Sequence, residues 1–135
     1  MKKLLVVLLL LSGIIAQAQK NEREMTYKEG DIEFHMKMFY MLIFIRGDQS
    51  EQFSEKQLFD MQNEHLAHIN KMAEVGAVVI AGPFDGDNEK RGILIFDVDT
   101  EAEIVEWMKG DPFIQNGRLT YEILPWWTEK GKCLF

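Results

Sequence analysis

Three histidines, His35, His65 and His68, carry the side chains of this chain whose ordinary pKa suits proton transfer near neutrality. Only His65 has a telling position. Leu58, Met61, His65, Ile69 and Met72 recur at intervals of three and four, which is one face of a helix. His65 therefore points into whatever that helix packs against. An imidazole there needs partners, because an unsatisfied buried polar group costs ~1–3 kcal/mol. It is either a core residue bonded to a backbone carbonyl or a general acid/base, and position does not choose between them.

His68 falls at the edge of the same apolar arc, and His35 reads as an ordinary exposed residue. His65 with His68 lacks a third ligand and the HExxH pattern, so a metal ranks below acid/base chemistry. Asp111 is the best candidate partner for His65. It stands on a constrained Asp-Pro segment, where a carboxylate accepting a ring N–H would fix the tautomer. Asp before Pro is also a common turn starter. Ser54 is better explained as a helix cap than as a nucleophile. Lys90-Arg91 meets an anionic substrate or solvates a loop, and Gly82-Pro83 brings a strand end close to whatever lies above it.

The elements that must position these residues follow from pattern. Met36 to Ile45 is apolar on both faces and ends at Arg46-Gly47-Asp48, which predicts a strand covered on both sides. Ser54 with Gln57 opens a helix to about Val75, with Gly76 as its stop. Ala77–Ala81 predicts a buried strand, and Gly92–Val98 a second two-sided one. Thr100 with Glu103 opens a short helix to about Lys109, stopped by Gly110, and Asp111-Pro112 breaks any continuation. Leu119–Leu124 is the last strand, and Pro125-Trp126-Trp127 leads into a polar tail over 128–135. The order βαββαβ, with right-handed crossovers, predicts an α+β ferredoxin-like domain over 36–127, its first and third strands central. Two helices cover one sheet face only. The uncovered face predicts a homodimer with sheets packed together, the rival covers being the tail with its tryptophans or another protein.

Lys2-Lys3, an apolar run from Leu4 to Ile15 and Ala16-Gln17-Ala18 describe a secretory signal peptide over 1–18, with an uncleaved anchor as the competing reading. The expectation is an exported domain, periplasmic or secreted, off the membrane after cleavage. Residues 19–35 are polar without sustained period and read as a flexible tether. The 135 residues bound one domain, and the formal charge of −7 speaks against nucleic acid. Cys133 is the single cysteine, which excludes an intrachain disulfide or a cysteine zinc site. No phosphate-cradling glycine motif supports a nucleotide, and no cofactor is expected.

An ordered series of residues resembles the YCII-related (YciI-like) family. It comprises His65-Leu66, Gly76, Ala81-Gly82-Pro83-Phe84, Asp85-Gly86, Arg91-Gly92-Ile93, Asp111-Pro112-Phe113, Gly117-Arg118 and Glu122…Pro125-Trp126. The resemblance runs from about Met36 to Trp127 and is strongest to exported members. It implies a dimeric α+β barrel and an active site around a His–Asp dyad, here His65 and Asp111. It also implies kinship with small cofactor-free enzymes, among them muconolactone isomerases and a dehydrochlorinase of chlorinated hydroxyquinols. Trp127 stands where the family often has tyrosine. On this footing the expected function is a cofactor-independent lyase or isomerase acting on a small cyclic or aromatic molecule. Tyr40, Phe84, Phe113 and Trp126 would supply apolar walls, with Gly82, Pro83 and Arg91 beside them. The alternative is a non-catalytic exported binding or structural homodimer, with haem on His65 or His68 as a variant of it.

Overall fold

A computed structural model describes residues 22–132. The signal-peptide segment 1–18 and Cys133 lie outside the described residues. The elements are β1 (Glu24–Glu29), β2 (Ile32–Arg46), α1 (Glu55–Glu74), β3 (Val78–Pro83), β4 (Lys90–Phe96), α2 (Glu101–Met108), α3 (Pro112–Gln115) and β5 (Leu119–Glu129). β2 is the organising strand. Met36 pairs with Met25 of β1 and Glu129 of β5, and Tyr40 pairs with Phe96 of β4 and Pro125 of β5. A strand has two edges, so β5 takes one and β1 and β4 divide the other. The four-stranded part runs β3-β4-β2-β5, every pair antiparallel. Its centre is the first and third strands of the βαββαβ order, as predicted: the fold is α+β and ferredoxin-like.

The helices begin where the caps place them. Ser54 accepts from the Gln57 amide and the Gln57 side chain answers to the Ser54 amide, and Thr100 with Glu103 repeats the device. The stripe of α1 is its inward face, with His65 and Met72 buried. Facing it, Tyr40, Leu42 and Phe44 of β2 and Leu94 and Phe96 of β4 form one core with Met72, Ile104 and Met108. Those strand residues alternate along the chain because period-two side chains share a face. Among the described residues no helix is long and apolar enough to cross a membrane.

Four features differ from expectation. Residues 24–35, expected as part of a tether, form a hairpin of β1 with the first turns of β2, joined at Gly30-Asp31. Charged side chains on an exposed ribbon hide a strand paired through its backbone, with Thr26 and His35 bonded across it at 3.1 Å. Tyr27 stacked on Phe34, and Arg23 paired with Asp97 at 2.8 Å and Asp99 at 3.0 Å, fasten it down. Asp111-Pro112 does not simply end α2; it starts the short α3, since proline suits the first helical position. β5 runs through Pro125 to Glu129, taking in the first residues expected of the tail, because an edge strand tolerates a missing N–H. Gly110 follows the Lys109 C-cap, where the stop was expected, without a left-handed φ; a Cβ there would meet His68 Cε1 at 2.8 Å. β3, expected as buried, is the sheet edge, with Val79 and Ile80 exposed.

Candidate functional site

The loop after α2 puts a carboxylate under α1. Pro112 fixes the first turn of α3, and Asp111 before it takes the extended conformation of an N-cap. Its Oδ1 accepts from the amides of Phe113 at 2.9 Å and Ile114 at 3.4 Å. Its Oδ2 accepts from His65 Nδ1 at 2.6 Å. Asp111 is 0% exposed and His65 7%. An ionised carboxylate can only accept, so Nδ1 carries the hydrogen, and in the neutral ring Nε2 then presents its lone pair. Nε2 has no hydrogen-bond partner among the described residues, nor is it one of the buried atoms sealed from solvent without one. It therefore opens to the space above it.

Aromatic rings hold the imidazole in place. Phe44 meets it edge-on with centroids 5.4 Å apart, and Phe113 lies 4.7 Å away at 35°. The space that His65 faces is a cavity of about 390 Å³, walled by α1, the end of β3, β4 and α3. Its apolar walls include Phe44, Ile69, Leu94 and Phe113; Gln62, Asn70, Arg91 and Arg118 supply the polar groups. Part of this room comes from Gly92, which stands between Pro83 and Phe44 in the cross-sheet register. A Cβ there would lie 2.7 Å from the Gly82 carbonyl oxygen, so the close approach of β3 requires glycine.

Of the residues expected in the site, His65, Gly82, Pro83, Arg91 and Phe113 line this cavity, with Asp111 beneath His65. Three others do not. Tyr40 is buried in the core, two residues along the strand from Leu42 and four from Phe44. Trp126 sits against Phe39 on the opposite sheet face, because β5 register turns even-numbered residues there. Phe84 follows the end of β3 and is 41% exposed. Phe44 and Arg118 were missed as site residues. Phe44 shares the strand face of Leu42, and period-two alternation could have carried it to the cavity; Arg118 follows a glycine turn and gives no spacing signal.

His68 turns away from the cavity, its Nε2 donating to the Trp107 carbonyl at 2.8 Å. Among the described residues no three of His, Cys, Asp and Glu converge as metal ligands. Burial, then the charges of Arg91 and Arg46, push the Arg118 guanidinium below its ordinary pKa.

Comparison with known proteins places this chain in a family. A solved structure from Burkholderia phenoliruptrix AC1100 has a similar fold: 5-chloro-2-hydroxyhydroquinone dehydrochlorinase (TftG) in complex with 2,5-dihydroxybenzoquinone. It superposes with a TM-score of 0.50 at 18% identity, over 64% of this chain and 92% of that one. No curated protein matches. The model of the YCII-related domain matches residues 38–127, which runs from within β2 to within β5 and includes both His65 and Asp111. The chain belongs to the YCII-related domain family.

Proposed function

We propose that the chain is a cofactor-independent small-molecule enzyme, a lyase or isomerase that uses His65 as general acid/base on a small cyclic or aromatic substrate. The observation that carries this reading is one imidazole with two unlike nitrogens. Nδ1 is tied to a buried carboxylate at 2.6 Å, while Nε2 faces a cavity of about 390 Å³. That volume is in the range of small-molecule sites, whose walls are mostly apolar with a few polar groups. The dehydrochlorinase of similar fold is named for a hydroxylated, chlorinated ring, and a ring of that size suits this cavity.

In the proposed cycle Nε2 takes a proton from the substrate, leaving the electron pair to form a new double bond. That pair expels a leaving group in a lyase step, the imidazolium then giving its proton to the departing group or to solvent, or draws the proton back at another carbon in an isomerisation. Asp111 stabilises the imidazolium between the two transfers, as an orienting carboxylate does in a catalytic triad. Phe44 and Phe113 keep the ring from rotating. The test is turnover of hydroxylated and unsaturated ring compounds by the wild type and by His65→Gln. Loss of one acid/base group lowers the rate on the order of 10²–10⁴-fold. Equal rates in the two proteins remove His65 from the mechanism.

One observation favours a structural role as the second reading. Asp111 also caps α3, so the pair joins α1 to α3 whatever chemistry occurs. Around either reading we propose an exported homodimer, released by cleavage after Ala18 into the periplasm or the medium. Support for the dimer comes from the sheet face away from the helices. There the register aligns Ile80, Ile95, Met41 and Leu124 in one apolar row, with Trp126 and Phe39 beside it.

A further inference from the structure

The cavity beside His65 carries charge of one sign on a chain whose net charge is −7. Arg91 and Arg118 line it, and Arg46 joins them at the adjoining recess. These three guanidinium groups are not equivalent. Arg46 pairs with Asp87 and with Glu89 at 3.5 Å, and Arg91 pairs with Asp87 at 3.1 Å. Arg118 has no carboxylate partner among the described residues. Its Nη1 donates to the Ser50 carbonyl at 2.7 Å, and its guanidinium carbon lies 5.2 Å from the centroid of Phe113. Phe113 in turn packs on His65.

The backbone around Arg118 is built to hold it there. Gly47 donates to the Arg118 carbonyl at 2.8 Å and Gln49 to the Gly117 carbonyl at 3.0 Å. These bonds dock the loop that supplies the Ser50 carbonyl. A half-buried arginine pinned at one nitrogen and stacked on a ring keeps its remaining N–H groups for a ligand. Burial and two neighbouring cations make that charge costly, which a bound anion relieves.

We infer that Arg118 anchors a carboxylate carried by the substrate, so that the compound presented to His65 is a small ring acid. This rests on the acid/base reading of the same site and narrows its substrate class. A single negative charge is favoured over a phosphate dianion by the local balance. Arg46 has Asp87, Glu89 and the field of Glu51 to balance it and Arg91 has Asp87, so Arg118 is the one guanidinium of the three without a carboxylate partner among the described residues. A guanidinium fork also matches a carboxylate in a bidentate pair, which fixes the direction of the ring as well as its position.

The test is equilibrium binding of benzoate, benzamide and phenyl phosphate to the full-length protein and to Arg118→Gln, Arg118→Lys and His65→Gln. The wild type binds benzoate about tenfold or more tighter than the nearly isosteric, neutral benzamide, as a charge-assisted pair requires. Arg118→Gln removes that preference and leaves benzamide unchanged, and Arg118→Lys restores part of it. Absence of benzoate binding, equal affinity for benzoate and benzamide, or tighter binding of phenyl phosphate overturns the assignment. The wild-type comparison stands even where a variant fails to fold. His65→Gln separates this inference from the one beneath it. Benzoate preference retained with undiminished turnover sinks the acid/base reading and leaves the anion site. Turnover lost in His65→Gln, with no preference for benzoate in the wild type, does the reverse.

Discussion

The carboxylate of Asp111 serves two neighbours at once: one oxygen takes the amides that open α3, and the other takes His65 Nδ1. Asn in its place has one acceptor oxygen and one donor nitrogen. Whichever way it turns, either the cap or the imidazole faces a donor. Asp111→Asn is therefore expected to cost about 1–3 kcal/mol of stability, read by denaturant unfolding at fixed protein concentration. It is also expected to lower turnover on the order of 10²–10⁴-fold, since the neutral ring then loses the partner that fixes its tautomer. A stability loss with turnover intact means the pair is only a link between α1 and α3. At this scale the sequence was informative about residue type and partner. The stripe through Leu58, Met61, Ile69 and Met72 placed His65 inward, and the Asp-Pro step marked Asp111. Arg118 was not legible as a site residue, because its role depends on Ser50 and Phe113, which meet it only through tertiary contacts.

Elements carry the next level. Burial alone would push the Asp97 carboxyl up, but the hydrogen bonds and charges of Lys37 and Arg23 outweigh it and hold the group below its ordinary value of 3.8. Lys37 lies 2.5 Å and Arg23 2.8 Å from its oxygens, so this carboxylate ties the β1–β2 hairpin to the end of β4. A carboxyl whose folded pKa is depressed adds stability that is full above the unfolded value. That stability is lost as pH falls through the lower, folded one. Acid unfolding of Asp97→Asn should therefore show a shallower loss below about pH 4 than the wild type, while its stability at neutral pH is lower. An identical acid profile in the two proteins would show that the hairpin is held without this charge. The hairpin itself was the least legible element. Gly30-Asp31 between Tyr27 and Phe34 is a two-residue turn signal, yet five charged residues from Glu24 to Glu33 masked the alternation. The caps at Ser54 and Thr100 were legible because they act within one turn. The extent of β5 was not, because only the length of β2 beside it carries pairing beyond Pro125.

For the whole molecule, the ferredoxin-like order followed from connection rules and from two strands apolar on both faces. In the proposed homodimer the sheet face that the helices do not cover packs against a second copy. The expected outcome is a dimer by sedimentation equilibrium, shifted toward monomer by Trp126→Glu and Leu124→Glu, with the core under α1 unaffected. A wild-type monomer at micromolar concentration would contradict that packing. The account as a whole rests on a basic nitrogen held over an apolar cavity, and imidazole ¹⁵N spectroscopy of His65 in the full-length protein reads that directly. Titrated until the ring is neutral, His65 should show a protonated Nδ1 and an unprotonated Nε2 whose signal moves when benzoate is added. A neutral ring protonated at Nε2 would contradict it, since the cavity would then face a donor and hold no base.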